Sequence, residues 1–280
     1  MEQLGNLFVF LNDPAHRQYN RLLQTTSYHS MIRPWVEPVH RMKGLLYKIV
    51  ETQGGQVIDE LQVTYSNLQN ALEHYNVDTI GDLANFCQFG GHNANAPPVA
   101  HHAVELIDHP YHRLFQNLQA APRIGAKTAA LFIKSIIDIH TWPETEDLRF
   151  IEGFELPQQG DRTYIPVDKI IWRVFHQHPN LLEQQIPRNP GGAFGPINTI
   201  IWGYHGGQHD LQNTAIRIWD DLWFWGKFSQ NNVNGQMEFT PNFARFICDS
   251  AAPHHLWPEI EPLLQEFIAL LQGLAPGEAP

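Results

Sequence analysis

From Leu118 to Phe132 the chain reads LQAAPRIGAKTAALF, in which a proline and a glycine separate two helix-forming segments. Apolar residues after the glycine recur at helical spacing, which predicts an amphipathic helix beginning at about Ala126 and ending near His140. A short helix is predicted before the proline, from His112 to Leu118. The apolar positions of the second helix are Ala129, Phe132, Ile133, Ile136 and Ile137. The pattern therefore predicts a hairpin of two helices over residues 112–140.

The turn of this hairpin has the features of an anion-binding site. The first N–H groups of the second helix have no partner within the helix, and the helix dipole adds partial positive charge there. A phosphate fits such a site, which gives an acidic protein a way to hold DNA with few side-chain cations. The residues predicted to contact DNA are Pro122, Arg123, Ile124, Gly125, Ala126 and Thr128.

Lys127 lies in the first turn of the predicted second helix. The positive end of the helix dipole and partial burial both disfavour a charged ammonium at this position. An amine in that setting is a better nucleophile than a lysine in water. Lys127 is therefore the candidate nucleophile, and the alternative is an ordinary surface lysine at a helix start.

A carboxylate follows the hairpin at Asp168, in the sequence YIPVDKIIWR from Tyr164 to Arg173. Pro166 favours extended backbone before it, and the apolar spacing beyond Asp168 predicts a helix from Ile170 to Phe175. Aspartate is a favoured N-cap residue, so Asp168 is predicted to cap this helix. The same carboxylate can also face an active site, since the two roles are compatible.

Two stretches, APRIGAKTA from Ala121 to Ala129 and PVD from Pro166 to Asp168, resemble the helix-hairpin-helix DNA glycosylase superfamily. The hairpin of that superfamily reads approximately L-P-G-V-G-x-K-T-A and is followed by a V-D element. The resemblance covers about Leu114 to Phe175. In the bifunctional glycosylase/lyase branches, the lysine at the place of Lys127 is the nucleophile and the aspartate at the place of Asp168 is essential.

The resemblance implies an all-α fold in which residues 1–280 form one unit of two intertwined helical subdomains with a cleft between them. It divides the chain into the helix-hairpin-helix motif (112–140), an insertion (141–164) and a catalytic aspartate element (165–175). The implied activity is excision of a damaged or modified base, extruded from double-stranded DNA, by attack at C1′ with β-lyase cleavage through a Schiff base. The protein is expected to be a monomer and to need no metal or other cofactor.

The chain departs from the family pattern in two respects. Arg123 stands where the family has its first hairpin glycine, so either the turn is altered or Arg123 contacts a phosphate directly. Lys127 and Asp168 are 41 positions apart (168 minus 127), which is wider than usual, and residues 141–164 account for the excess. A wide gap is similar to the archaeal 8-oxoguanine glycosylase branch, so an oxidised purine, 8-oxoguanine, is the first-choice substrate.

Two other functions stay open. One is a glycosylase that acts on a hypermodified phage base in defence, because the long insertion and altered hairpin suit an atypical pocket. The other is a non-catalytic helix-hairpin-helix module that binds DNA, or a scaffolding protein that uses the hairpin for partners. A binding-only hairpin needs neither Lys127 nor Asp168, so the presence of both favours the enzyme.

Composition narrows the function classes further. The 18 basic and 29 acidic residues give a net charge of -11, which argues against DNA binding through bulk positive potential, although residues 17–48 hold six bases and one acid. Two cysteines are too few for a disulfide framework or an iron–sulfur cluster. No apolar run is long enough to span a membrane and no secretion signal is recognised, so an intracellular protein is expected, cytoplasmic and nucleoid-associated in a prokaryote.

Histidines, aromatic residues and glycines form three further patterns. Neighbouring histidines such as His254 and His255 point apart on regular elements, and two glycines separate His205 from His209, so no metal site is predicted. The aromatic sequence WDDLWFWGKF, residues 219–228, is predicted to pack in the core, with stacking on an extruded base as the alternative. The sequence PGGAFGP, residues 190–196, predicts either a connecting loop or a close approach of backbone to DNA.

Overall fold

The computed structural model of the chain describes residues 2–19, 72–73, 75–87, 109–120, 124–141, 146, 149–158, 161–178, 181, 185–204, 220–250 and 254–274. The helices with both ends in these ranges are α1 (Glu2–Asn12), α2 (Ile80–Phe86), α3 (Pro110–Ala120), α4 (Ala126–Thr141), α5 (Lys169–Gln177), α6 (Pro190–Tyr204), α7 (Phe243–Ser250) and α8 (Trp257–Gln272). Residues 14–19 and 220–228 are also helical. None of the helices in these ranges is both long and apolar enough to cross a membrane.

The chain divides into two compact units. The first unit comprises Met1–Pro34, Val167–Gly206 and Thr214–Pro280, and the second comprises Trp35–Pro166 and Gly207–Asn213. The prediction of a helical fold is confirmed for the described residues, with one exception. That exception is an antiparallel hairpin of β1 (Gln230–Val233) and β2 (Gln236–Phe239) in the first unit.

The β-hairpin turns at Asn234 and Gly235, which both have positive φ, 52° and 83°. An Asn-Gly pair is the sequence that a tight two-residue hairpin turn prefers. The flanking strands are short and mostly polar, so they lack the alternation of apolar residues that identifies a strand in a sequence. The prediction of an all-α chain missed the hairpin for this reason.

The first unit is built around α1 and α8, which pack on each other. Phe10 of α1 contacts both Phe267 of α8 and Trp225, with ring centroids 5.8 Å and 5.4 Å apart. Trp225 and Phe267 are fully buried. Burial of these rings contributes about 1.5–3 kcal/mol for each large side chain and holds residues 220–228 inside the unit.

Residues 190–196, for which a connecting loop was one interpretation, form the first part of helix α6. The side chain of Asn189 accepts a hydrogen bond from the Gly192 N–H at 2.7 Å, and Pro190 occupies the first helical position. Asparagine caps and first-turn prolines both favour helix initiation. Buried residues, including Ala193, Ile197 and Ile201, then provide the packing that outweighs the helix penalty of the glycines.

A close contact joins residues 220–228 to α5. A Cβ built on Gly226 would lie 3.1 Å from the Cγ2 atoms of both Ile170 and Val174, whereas a Cβ on Gly195 of α6 would meet no atom within 4 Å. Ile and Val side chains are stiff in helices and cannot rotate away easily.

These two glycines make a matched pair of alanine substitutions. Gly195→Ala is expected to raise the free energy of unfolding by about 0.5–1 kcal/mol, because alanine favours the helix. Gly226→Ala is expected to lower it by about 1 kcal/mol, because overpacking against α5 exceeds that gain. Urea denaturation of both variants measures the difference. Equal stabilisation by the two substitutions would show that the contact at Gly226 is not tight.

The second unit contains the helices of the predicted hairpin. Helix α2 starts at a capping box in which Thr79 and Asp82 each bind the other's backbone N–H, and α2 packs on α3. Helix α3 in turn packs on α4. The five apolar residues predicted to define one face of α4 are all buried. The prediction of an amphipathic helix from about Ala126 is therefore confirmed.

Residues 149–158 and 161–164 have no regular secondary structure, yet they bind the helices of the second unit. Asp161 is 1% exposed, and its carboxylate accepts hydrogen bonds from the Tyr111 and His112 N–H groups at the start of α3. Burial raises the pKa of this carboxyl. At the other end, the N–H groups of Phe150 and Ile151 both donate to Nε2 of His140 in α4.

Candidate active site

The start of α4 presents several of the predicted DNA-contacting residues. The helix begins at Ala126, and the Ala129 N–H donates to the Gly125 carbonyl at 3.0 Å. Ile124 is buried, Ala126 is half-buried, and Gly125 and Thr128 are exposed. Pro122 and Arg123 lie outside the described residues. The first N–H groups of a helix lack intrahelical acceptors, so this end of α4 can receive an anion.

The backbone conformation at position 125 does not require a glycine. Its φ lies outside the left-handed region, and a Cβ at this position would meet no atom within 4 Å. A glycine with room for a side chain allows another molecule to approach the backbone closely.

Lys127 is exposed in the first turn of α4. The expectation that Lys127 is partly buried is therefore wrong, because its side chain leaves the helix on the solvent side. Lys134 lies two helical turns further along and is buried, and its amine pairs with Asp138 on the same helix. Of these two amines on α4, the exposed Lys127 is the one that a large substrate can reach.

Asp168 caps α5, as predicted. Its Oδ1 atom accepts hydrogen bonds from the N–H groups of Ile170 and Ile171, at 2.8 Å and 3.0 Å. Its Oδ2 atom accepts a third hydrogen bond from Nε1 of Trp223, at 2.9 Å. An ionised carboxylate offers about four lone-pair sites. The described residues use three of them, and the half-buried side chain keeps acceptor capacity for a substrate group.

The described part of the aromatic sequence, residues 220–228, has two roles, and Trp219 lies outside the described residues. Phe224, Trp225 and Phe228 are buried and pack edge-to-face, so core packing is correct for these three residues. Trp223 is half-buried and donates its indole N–H to Asp168, while Nζ of Lys227 lies 4.7 Å from the centre of its ring. No local sequence pattern connects Trp223 with Asp168, because 55 positions separate them.

The two candidate catalytic residues belong to different units: Lys127 to the second and Asp168 to the first. The histidine pair His101 and His102 and the residues His205 and His209 lie outside the described ranges. In the part of the chain that the structure describes, no group of three or more histidine, cysteine or acidic residues is arranged to hold a metal ion.

No protein-family profile, curated protein or solved structure matches this chain. The hairpin and Asp168 motifs, together with the geometry of their residues, are therefore the features from which a function can be inferred.

Proposed function

We propose that this protein is a DNA glycosylase with associated lyase activity. The observation that carries the proposal is the place of Lys127 in the first turn of α4, a helix packed on α3, beside backbone N–H groups that can bind a DNA phosphate. Asp168 caps α5 through one carboxylate oxygen and keeps acceptor capacity for a substrate group, so its structural role is compatible with the proposed catalytic one. The finer architecture of two helical subdomains around a cleft belongs to the same proposal.

In the proposed reaction, the neutral amine of Lys127 attacks C1′ of the target nucleotide as the bond between C1′ and the base breaks. The base leaves with the bonding electron pair and takes up the proton that the amine releases. The resulting aminal opens to a Schiff base, and loss of a C2′ proton allows β-elimination of the 3′ phosphate. Asp168 stabilises positive charge on the sugar while the bond to the base breaks. Backbone N–H groups at the start of α4 bind a DNA phosphate, which suits a protein of net charge -11.

The proposed partner is double-stranded DNA with one base extruded from the stack. The first-choice substrate is 8-oxoguanine, because the wide spacing between Lys127 and Asp168 is similar to that in the archaeal 8-oxoguanine glycosylase branch. A hypermodified phage base is the alternative within the same chemistry. A panel of duplexes that carry each base, with released base identified by mass spectrometry, distinguishes the two substrates.

Borohydride trapping tests the role of Lys127. Wild-type protein is expected to form a covalent adduct with duplexes that contain 8-oxoguanine or an abasic site, because borohydride reduces the Schiff base. Lys127→Ala is expected to lower adduct formation on the order of 10³-fold or more, since it removes the nucleophile. Lys169→Ala is the matched control, because Lys169 is also exposed in the first turn of a helix. Trapping that persists in Lys127→Ala would remove Lys127 as the nucleophile.

The exposure of Lys127 also favours a second candidate, a DNA-binding module without catalysis, since an exposed first-turn lysine suits a phosphate contact. Lys127→Arg separates the candidates, because arginine keeps the charge and forms no Schiff base. An enzyme loses trapping in this variant and keeps its DNA affinity. A module binds duplex DNA with either residue and releases no base from any member of the panel.

A further inference from the structure

We infer that Trp223 positions the carboxylate of Asp168 for catalysis, an inference that rests on the proposed function. The indole N–H of Trp223 donates to Oδ2 of Asp168 at 2.9 Å. Trp223 acts through Asp168 in this assignment and makes no contact with the reacting atoms. No feature of the two sequence motifs identifies it.

The helix cap alone leaves part of the carboxylate geometry undefined. Both cap hydrogen bonds, from Ile170 and Ile171, end on Oδ1. The torsion that orients an aspartate carboxylate is broad and moves both oxygens together, so donors on Oδ1 alone restrain it only loosely. The hydrogen bond from Trp223 adds a restraint on the second oxygen. The cap and the indole together therefore hold the carboxylate plane more tightly than the cap does alone.

The indole itself is held by the packing of its helix on α5. Gly226, three residues beyond Trp223, lies against Ile170 and Val174, and a Cβ there would be 3.1 Å from each. Phe224 and Trp225, the next two residues, are buried in the first unit. The donor and the capped helix therefore belong to one packed body. Nζ of Lys227 lies 4.7 Å from the centre of the indole ring, a cation–π contact that further limits the motion of the ring.

The orientation of the Asp168 carboxylate affects the reaction rate through electrostatic stabilisation of the transition state. A negative charge lowers the barrier when it is already placed where positive charge develops, without reorganisation during the reaction. Misplacement of a reacting group by about 1 Å costs on the order of 10²-fold in rate. The loss of rate on removal of the Trp223 donor is expected to fall within this range, because the charge of Asp168 remains and only the restraint on its orientation is lost.

Trp223→Phe tests the inference, with Trp172→Phe as the matched control. Trp172 is also half-buried in the first unit, and its indole N–H donates at 2.9 Å to the Pro187 carbonyl. Both variants lose one indole hydrogen bond and keep an aromatic ring, so similar shifts in urea midpoint are expected. Trp223→Phe is expected to lower the single-turnover rate of base release from an 8-oxoguanine duplex about 10- to 100-fold, with unchanged DNA affinity. Trp172→Phe is expected to keep the wild-type rate.

The same substitution in an Asp168→Ser background provides the decisive comparison. If Trp223 acts through Asp168, Trp223→Phe has no further effect on the residual rate there, because the carboxylate is gone. An equal loss of rate in both backgrounds, an equal loss in Trp172→Phe, or a wild-type rate in Trp223→Phe overturns the inference. If the wild-type protein is active, each of these results contradicts the inference about Trp223 but not the proposed function. Absence of base release and trapping by the wild type on 8-oxoguanine and abasic duplexes overturns both.

Discussion

Asp168→Ser is expected to lower the rate of base release by a factor of about 10²–10³ while the protein stays folded. Serine is a good N-cap residue, so α5 keeps a side-chain acceptor for its first N–H groups. What the variant loses is the negative charge that the Trp223 indole and the helix N-terminus hold in place. Single-turnover assays give the rate, and urea denaturation gives the stability.

Two variants, Asp168→Ala and Asn189→Ala, are the controls for this prediction. Asp168→Ala removes charge and cap together, so it is expected to lose about 1 kcal/mol of stability in addition to activity. Asn189→Ala removes the cap of α6 in the same unit and is expected to lose similar stability without slowing base release. A fully active Asp168→Ser protein would assign Asp168 to capping alone.

His140→Ala is expected to lower the free energy of unfolding by about 3–5 kcal/mol, the largest stability effect of any single substitution proposed. His140 is 7% exposed; its ring stacks on Phe154 and meets Phe150 edge-on, with ring centroids 4.5 Å and 4.8 Å away. Its Nε2 atom accepts hydrogen bonds from the Phe150 and Ile151 N–H groups. Alanine leaves a cavity and two buried donors without their acceptor. Urea or thermal denaturation measures the loss.

The same side chain makes stability depend on pH. Nδ1 of His140 lies 2.9 Å from the Ile136 carbonyl and acts as the donor, since Nε2 accepts two N–H groups and the ring is therefore neutral. Burial lowers the pKa of His140 to about 4, against an ordinary value near 6.5. As the pH falls from about 6.5 to about 4, the unfolded chain binds a proton that the folded chain excludes, and stability falls by about 3 kcal/mol.

His140→Gln isolates this contribution, because glutamine can donate and accept hydrogen bonds and does not titrate in this range. The difference in unfolding free energy between wild type and His140→Gln is expected to shrink as the pH falls from about 6.5 to about 4. Subtraction removes the parallel contribution of His178, whose pKa burial also lowers to about 4. A difference that is constant across this window would mean that folding does not lower the pKa of His140.

The local elements were predictable from the sequence. The apolar spacing of α4, its start at Ala126 and the cap of α5 by Asp168 involve residues within a few positions of each other. The Asn234-Gly235 turn is an equally local signal for a β-hairpin. It was missed because the flanking strands are mostly polar and lack the apolar alternation that identifies a strand. In α6, buried packing outweighed the glycine and proline content on which the loop interpretation was based.

The sequence therefore determined the helical character of the described residues and the starts of α4 and α5, because capping and helical periodicity act over a few residues along the chain. Tertiary structure alone decided that Lys127 is exposed, that Trp223 donates to Asp168 and that His140 binds residues 150 and 151. These contacts depend on how helices pack, as at Gly226 against α5. Packing is set by the sum of many side-chain contacts between distant segments, which no short stretch of sequence contains.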